Sequence, residues 1–353
     1  EKGEYKGIGI WECHLEEDPA QWNPDTGHVN YNRSGLPLIE VVTAPDFKSI
    51  DEVIIWLKSF IHSLSYIKAI RKGAGIKVDV NVSTRGERVE IKNLNSLENI
   101  EKALQYEIAR QREVYEEGGT IEQQTRAYDV ASGSTIKMRD KEDAADYRFI
   151  TDPDLPVITI DRKVAIDIAK HMPETPDEKL AKLLSTYKVA KKDADILTKN
   201  LELVEFFEAL SNEGINVTEH LSWLTIELLR VLNYNKRTLD DGDVDIKPEH
   251  MAELIRAVEN KEVTVLKAKQ IMNDFIPTSF SIGEKGDITT IASDAVVNMC
   301  EQVIKKNQKA VDDYKRGEQN ALNFLVGQVM KLSERRADFK VATETLKNVL
   351  DGE

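Results

Sequence analysis

The hydrophobic period of the chain changes twice between residues 49 and 119, and this change constrains the fold more than any other feature. Apolar residues recur at helical spacing over 50–64 and again over 97–108, so each segment buries one stripe. Between them, residues 76–83 alternate aliphatic and polar side chains, as a half-exposed strand does. This order of helix, strand and helix predicts a first region that mixes α and β structure.

Capping signals mark where these two helices begin and end. Ser49 followed by Glu52 predicts a capping box, in which each side chain accepts the backbone N–H of the other residue. Asn95 followed by Glu98 predicts the same arrangement for the second helix. The glycine pair at 118–119 predicts its end, because glycine readily adopts the left-handed conformation that closes many helices.

Two hairpins accompany these helices. After the alternating strand, a turn at 84–87 returns the chain as a second strand over 88–92, so polar residues of both strands share one face. Residues 123–130 and 134–139 flank an Ala-Ser-Gly turn and predict a second hairpin. The first region therefore carries a sheet with a face charged in both signs.

Composition changes along the chain suggest three domains. We predict an α+β domain over 1–160, since the proline-rich segment 152–156 excludes both a regular helix and a central strand. A helical domain over 161–283 follows, and a small helical tail over 284–353 completes the chain. The segment from Pro277 to Gly286, rich in Ser and Gly, is the candidate linker between the last two.

Bulk properties exclude several classes of protein. The chain has 353 residues, of which 41% are hydrophobic and 31% charged, as is ordinary for a globular protein. Only two cysteines occur, which excludes a disulfide framework and fits a reducing cytoplasm. A net charge of −14 argues against nonspecific coating of DNA. The chain opens Glu-Lys-Gly-Glu without Met, so we expect a piece of a longer protein.

The densest cluster of titratable residues is the pentapeptide His14-Leu15-Glu16-Glu17-Asp18. Adjacent carboxylates repel each other unless a cation shares their charge, and Mg²⁺ takes oxygen ligands of this kind. A solvated acidic turn explains the same residues. The pentapeptide alone does not decide between these readings.

Further polar positions follow in order along the chain. Arg33 precedes an apolar strand and could clamp a phosphate or carboxylate, although a structural salt bridge explains it equally well. The first hairpin then presents carboxylates, amides and a lysine together. Such a face suits a metal–nucleotide site or a polar tunnel, but half-exposed sheets look similar.

Six motifs occur in a fixed order along the chain. They are His14-Leu-Glu-Glu-Asp18, Tyr31-Asn-Arg33-x-Gly35-x-Pro-Leu-Ile-Glu40, Asp79-x-Asn-Val-Ser83, Glu90-Ile-Lys-Asn-Leu-Asn-Ser96, Met138-Arg139 with Lys141-Glu142, and Asp146-Tyr-Arg148 followed by Asp152-Pro-Asp-Leu-Pro156. Together they resemble the B-subunit family of glutamine-dependent Asp/Glu-tRNA amidotransferases, and their order makes the interpretation specific. Two tail segments, Ala310 to Gly317 and Phe324 to Met330, resemble that family as well.

The resemblance implies both a fold and a reaction. The fold is a cradle domain like that of glutamine synthetase, here incomplete at its N-terminus, then an all-α domain and a small α-helical tail. In the reaction, ATP with Mg²⁺ phosphorylates the side-chain carboxylate of a misacylated Glu-tRNA or Asp-tRNA, and ammonia displaces the phosphate. A partner amidase subunit makes that ammonia from glutamine, and a small accessory subunit completes the complex.

The resemblance also implies roles for individual residues. Glu16 and Glu17 resemble metal ligands, with His14 beside them. The positions that resemble a second metal site or a polar channel are Asp79, Asn81, Glu90, Lys92 and Asn93. The weaker matches, for contacts with a phosphate or with the acyl carboxylate, are Arg33 and Arg148.

The tail departs from the acidic character of the whole chain. Residues 301–347 hold ten Lys or Arg against seven Asp or Glu, a local charge of +3. Phosphate contacts supply most RNA affinity, so with the family's tail motif we predict tRNA binding here; a solvated helix face is the alternative. The residues expected to contact tRNA are Lys305, Lys306, Lys315, Arg316, Lys331, Arg335 and Arg336.

Three rival functions compete with this interpretation. An archaeal E-type subunit would carry an inserted module, for which the chain has no room between residue 119 and the strand at 125. A non-catalytic tRNA-binding scaffold would need no ATP and would tolerate neutralisation of Glu16 and Glu17. A free-standing amide ligase is disfavoured, because nothing in the sequence resembles a glutaminase nucleophile.

Overall fold

The computed structural model divides the chain into two compact units, residues 1–173 and 174–353. Each unit is described by itself. The residues that the structure describes are 3–18, 20–23, 26–68, 70, 77–140, 159, 161–284, 286 and 288–351.

The first unit alternates strands with two long helices. Its elements, in chain order, are β1 (Gly3–Tyr5), β2 (Ile8–Glu17), β3 (Gln21–Trp22), β4 (Val29–Asn30), β5 (Pro37–Thr43), α1 (Ile50–Ser65), β6 (Val78–Val82), β7 (Val89–Leu94), α2 (Leu97–Glu116), β8 (Gln124–Asp129), β9 (Ser134–Asp140) and α3 (Arg162–His171). The expected mixture of α and β structure is thereby confirmed, with short strands in small sheets.

The N-terminal caps of α1 and α2 each differ from the prediction in one residue. The Ser49 hydroxyl accepts the N–H of Glu52 as predicted, but the Glu52 carboxylate accepts the N–H of Lys48 instead of that of Ser49. At α2 the N-cap is Ser96, one residue after the predicted Asn95, and its hydroxyl accepts the N–H of Asn99. Serine and asparagine cap helices about equally well, so the sequence alone did not distinguish these neighbours.

The strands form two larger sheets and one small ribbon. β2 lies between β1 and β5, with both neighbours antiparallel, and β3 pairs with β4. The other larger sheet has the order β6-β7-β8-β9. Both predicted hairpins are confirmed, and β7 and β8 run parallel because α2 carries the chain back between them. This crossover joins the two hairpins into one sheet.

The core of the first unit lies between the helices and the sheets. Ile54 and Leu57 from α1 and Ile100 and Leu104 from α2 pack with Ile91 from the centre of the sheet. The residues at helical spacing thus meet residues of strand spacing, as their two periods predict. Trp56 adds an aromatic cluster whose indole N–H donates to the Tyr5 carbonyl.

A charged network is buried between α2 and the four-stranded sheet. Glu107 on α2 is fully buried and accepts hydrogen bonds from Arg110, from Gln111 and from Thr135 on β9. The guanidinium of Arg126 on β8 lies 3.4 Å from the same carboxylate and donates to the Thr135 hydroxyl at 2.8 Å. Burial raises the pKa of Glu107, but these hydrogen bonds outweigh it and hold the pKa below its ordinary value.

The second unit is helical. Its elements are α4 (Pro176–Ser185), α5 (Lys191–Leu197), α6 (Leu201–Asn212), a π-helical turn (Trp223–Leu228), α7 (Leu229–Tyr234), α8 (Pro248–Glu259), α9 (Val265–Asn273), a 3₁₀ turn (Ile282–Glu284), α10 (Ser293–Lys306), α11 (Gln308–Lys315), α12 (Gln319–Leu332) and α13 (Phe339–Asp351).

Two hydrophobic cores divide this unit. One is built by α4 to α9 and includes Ile282, and the other is built by α10 to α13 around Cys300 and Leu325. The predicted linker is therefore packed: Ile282 is buried and Ser279 hydrogen-bonds to the N–H of Lys247. The division into three domains at 160 and 283 stays a prediction.

In the described part of the chain, no helix is both long and apolar enough to cross a membrane.

We predict that Glu107→Ala lowers the free energy of unfolding of the first unit by about 3 kcal/mol or more. The reason is that Arg126 keeps its charge in the interior without its partner. The measurement is urea unfolding by fluorescence in a Trp223→Phe background, where every remaining tryptophan lies in residues 1–173. Glu113→Ala, on the exposed side of the same helix, is the control and should change stability by less than about 0.5 kcal/mol.

The loss should also depend on pH. Because the folded pKa of Glu107 is depressed, its stabilisation is present above the pKa of an unfolded glutamate, about 4.3, and disappears as pH falls through the folded value. Wild type and Glu107→Ala should therefore converge in stability in acid. A difference that stays constant down to the acid transition would contradict the ionised network.

Candidate active site

The pairing of β2 with β5 decides which residues of the acidic pentapeptide meet. His14 lies opposite Glu40, and Glu16 lies opposite Leu38. Directly opposed residues of antiparallel strands share a face, and so do residues two apart on one strand. Glu12, His14, Glu16 and Glu40 therefore share one face, where the His14 ring nitrogen Nε2 lies 2.9 Å from a Glu12 carboxylate oxygen.

Negative charge is concentrated on this face. Burial raises the pKa of Glu40, and the neighbouring Glu16 carboxylate raises it further through repulsion and a shared hydrogen bond. Asp79, on β6 of the other sheet, lies near enough to raise it as well, while His14 lowers it. Glu16 and Asp79 therefore both disfavour the ionised form of Glu40, because a carboxyl is easier to protonate near other carboxylates.

The donor chemistry of this face fits a hard divalent cation. Carboxylate oxygens are the ligands that Mg²⁺ takes, usually together with waters and substrate phosphates. Among the residues that the structure describes, no three His, Cys, Asp or Glu side chains are grouped closely enough to hold a metal by themselves. The predicted metal set of His14, Glu16 and Glu17 therefore stays a prediction.

Glu17 is separated from the other pentapeptide residues. Successive side chains of a strand point to opposite faces, so Glu17 shares its face with Cys13 and Leu15 and lies opposite Pro37. Leu15 and its partner Ile39 are both exposed on that face. The structure brings Glu16 together with Glu40, and it does not bring Glu17 to them.

An ion-paired row crosses the start of the four-stranded sheet. The Lys92 ammonium lies 2.6 Å from Asp79 and 3.1 Å from Glu90. Burial lowers the pKa of Lys92, but its hydrogen bonds to the two carboxylates outweigh that effect and raise the pKa above its ordinary value. Lys92 is therefore a fixed cation, and the trio of side chains carries one net negative charge.

A β-bulge produces this contact. Between the pairs Val78 with Leu94 and Val80 with Ile91, β7 contains one residue more than β6. Two residues of β7, Lys92 and Asn93, therefore lie opposite Asp79, and Asn93 has a φ of 65°. Asparagine tolerates this left-handed conformation better than most residues, which explains its place in the bulge.

Asn81 and Glu90 are a register pair at the next position of the same hairpin. Asn81 is exposed, while the Glu90 side chain is only 16% exposed. The structure thus brings four of the predicted positions, Asp79, Asn81, Glu90 and Lys92, onto one face of the sheet. Asn93 is exposed at its margin.

The two arginines have different outcomes. Arg33 lies in the turn before β5, where its guanidinium is 3.3 Å from the buried Asp18 carboxylate. That ion pair is the structural alternative considered from the sequence, although 47% of the Arg33 side chain stays exposed. Arg148 lies outside the described residues.

The basic residues of the tail lie on helices α10 to α12 and the loop after α12. Lys305, Lys306, Lys315, Lys331 and Arg335 are exposed. Arg316 is exposed as well and pairs with Asp313, while Arg336 is half-buried and its carbonyl accepts the N–H of Ile291.

Two residues of the site were not singled out from the sequence. Glu40 ends a motif used only for the family resemblance. The pairing of β2 with β5 brings it close to Glu16, which is 24 residues away in the sequence. Thr125 is buried and its hydroxyl donates to Glu90 at 3.0 Å. The sequence signal for Thr125 is only its place in a predicted strand, because the parallel pairing of β7 with β8 was not predicted.

Comparison with known proteins covers both units. The family model described as "GatB/GatE catalytic domain" matches residues 1–166, and the one described as "GatB domain" matches residues 205–350. The first matched segment contains all the polar positions discussed above, and the second contains the basic tail.

Curated relatives extend over nearly the whole chain. A protein of Methanosphaera stadtmanae is 42% identical over 358 residues, which cover 99% of this chain and 78% of the relative. Proteins of Methanocaldococcus jannaschii and Methanococcus aeolicus are 41% and 39% identical, and each alignment covers 99% of this chain and 77% and 78% of the relative, respectively. All three are named as the B subunit of aspartyl/glutamyl-tRNA(Asn/Gln) amidotransferase, and the chain belongs to this family of amidotransferase B subunits.

Proposed function

We propose that this chain activates the side-chain carboxylate of misacylated Glu-tRNA(Gln), Asp-tRNA(Asn) or both by ATP-dependent phosphorylation, as a cytoplasmic enzyme. Ammonia from a partner amidase subunit then displaces the phosphate and leaves the amide. The observation that carries the proposal is the shared face of Glu16 and Glu40 on the paired strands β2 and β5. Asp79, which also raises the pKa of Glu40, pairs with the Lys92 ammonium at 2.6 Å. Family membership supplies the substrates, since the relatives are named for these two tRNAs.

The chemistry requires an activated carboxyl group. A carboxylate is a poor electrophile for ammonia, and conversion to an acyl phosphate supplies a leaving group. Phosphoryl transfer needs positioning and charge stabilisation more than covalent help from the protein. Bound Mg²⁺ would neutralise charge on the phosphates. Glu16 and Glu40, with His14 beside them, are the residues proposed to hold it.

The ion-paired trio serves the same reaction in a different way. Asp79 and Glu90 hold the Lys92 ammonium in one place, and a fixed cation stabilises negative charge that develops on a bound substrate. Asn81 and Asn93 offer neutral amides at the margin of this face. We assign the trio to substrate orientation or to the ammonia path, and Glu17 on the opposite face of β2 to a role separate from Glu16.

The tail is proposed to hold tRNA. Its exposed Lys and Arg side chains offer phosphate contacts, and such contacts position a folded RNA without reading its sequence. The tail is packed as its own core, which supplies a rigid platform for these charges. Among the seven residues, Lys305, Lys306 and Lys331 are exposed and lie on regular helices, so they are the first to test.

We predict that Glu16→Gln raises the Mg²⁺ concentration needed for half-maximal conversion of Glu-tRNA at least about tenfold and lowers the maximal rate about 10²-fold. Removing one of two adjacent carboxylates weakens cation binding. The assay uses the natural full-length protein assembled with its amidase and accessory subunits, with tRNA binding measured on the same samples.

Glu17→Gln is the matched control, because it makes the same change one residue away on the opposite face. Its Mg²⁺ requirement should equal that of the wild type. If Glu17→Gln and not Glu16→Gln raises the requirement, the cation site lies on the other face. If neither variant changes ATP-dependent conversion, the pentapeptide is structural and the scaffold alternative gains support.

We predict that Lys305→Ala with Lys306→Ala weakens tRNA binding and reduces the salt dependence of the binding constant. Each lost phosphate contact should lower the slope of log K against log salt by about 0.7 to 0.9. Filter binding of the assembled complex over a salt series measures both quantities. Point variants suit this test better than deletion of the tail, because deletion would also remove contacts with the rest of the unit. One such contact is the hydrogen bond that the Thr264 hydroxyl donates to the Arg335 carbonyl.

Lys191→Ala with Lys192→Ala is the control, since these exposed lysines lie on α5 of the same unit. It removes the same charge from a surface that we do not assign to tRNA. Equal losses for both double variants would show a general charge effect and would contradict a dedicated tail surface.

A further inference from the structure

We propose that Thr125 is a positioning residue for the activation site, which it serves by fixing the orientation of the Glu90 carboxylate. This inference rests on the proposed function of the Asp79, Glu90 and Lys92 trio. It adds Thr125 as a residue on which the trio depends, although Thr125 itself does not contact a substrate.

The geometry leaves Glu90 one orientation. One carboxylate oxygen accepts the Thr125 hydroxyl at 3.0 Å, and the other lies 3.1 Å from the Lys92 ammonium. Lys92 in turn lies 2.6 Å from Asp79. Four side chains on three adjacent strands therefore form one chain of contacts, and Thr125 is its buried end.

The hydroxyl at this position requires an explanation. Only 1% of Thr125 is exposed, and an aliphatic residue such as valine has the same shape and would fill the space. A buried hydroxyl without a partner costs free energy, so its benefit must come from the bond that it makes. The parallel pairing of β7 with β8 places Thr125 directly beside Glu90, and Glu90 is the acceptor of that bond.

The opposite face of β8 explains why Thr125 can act as a fixed reference. Its neighbour Arg126 is held by Thr135 and Glu107 in the buried network under the sheet. β8 is therefore anchored to α2 from below while Thr125 holds Glu90 above. Without the hydroxyl, the Glu90 carboxylate would rotate away from Lys92, and the ammonium would follow Asp79 alone. Displacement of a charged group by about 1 Å can cost about 10²-fold in rate.

The test compares two pairs of variants that differ only in the hydroxyl. Thr125 against Thr125→Val keeps the volume, and Thr125→Ser against Thr125→Ala does the same for a smaller side chain. We expect the variants without a hydroxyl to lower kcat for ATP-dependent conversion of Glu-tRNA at least about tenfold relative to their partners. KM and tRNA affinity should stay within about twofold. The second pair keeps the test open if Thr125→Val does not fold.

Thr135→Val is the matched control. It also removes a buried threonine hydroxyl that donates to a glutamate, but on the face of the sheet that packs against α2. It should lower the melting temperature without a tenfold loss of kcat at temperatures where the complex stays folded, because Arg126 still anchors β8 through Glu107 and the Thr135 carbonyl. A loss of kcat in Thr135→Val equal to that in Thr125→Val would mean that sheet stability alone accounts for the effect, and the positioning role would be overturned.

Glu90→Gln separates this inference from the proposed function. If Glu90→Gln loses activity while Thr125→Val keeps full kcat, the trio acts as proposed and Thr125 does not position it. If Glu90→Gln itself keeps full activity, the trio is not part of the activation site, and both the assignment and the inference fail.

Discussion

The buried carboxylate of Glu107 holds the four-stranded sheet to helix α2, and the polar face that carries the proposed site depends on it. Glu107 contacts side chains from α2, β8 and β9, so one group fixes three elements. Such a network is stable when every member is present and costly when one is lost, because a buried charge then has no partner. The strands that carry the polar face are therefore held in position from behind.

The alternation of side chains along a strand lets one strand contact the buried network with one face and carry polar residues on the other. On β8, Arg126 points to the helices and Thr125 to the polar face, so one strand is both anchored and functional. On β2, the same rule places Glu16 with Glu40 and sends Glu17 to the other side. Carboxylates that are adjacent in the sequence thus lie on separate faces, and a mutation at one is a control for the other.

Much of this arrangement was predictable because it is local. Hydrophobic period located α1, α2 and both hairpins, and the cap of α1 was placed at the correct serine. The predicted cap of α2, Asn95, lies one residue before the observed cap, Ser96, since both residue types cap helices well. The shared face of Asp79, Asn81, Glu90 and Lys92 also followed from the alternation of residues in one hairpin.

The unpredicted features depend on pairing between distant segments. Nothing near Glu40 shows that β5 pairs with β2, and nothing near Thr125 shows that β8 runs parallel to β7. The β-bulge at Asn93, which sets Lys92 against Asp79, is a further shift that strand period cannot express. These are the features that bring Glu40 to the face of Glu16 and that give Glu90 a buried partner.

The charge balance of the polar face gives the proposed site a condition for activity. Lys92 offsets only one of the two carboxylates that it contacts, and the Glu16 carboxylate repels that of Glu40 on the paired strand. A misacylated tRNA brings a further carboxylate, which this face would repel. Under the proposed function, the substrate carboxylate becomes compatible with the site only when a cation accompanies ATP. The site then binds the substrate carboxylate only when the nucleotide and its cation are present, so binding of the substrate carboxylate and its activation occur together.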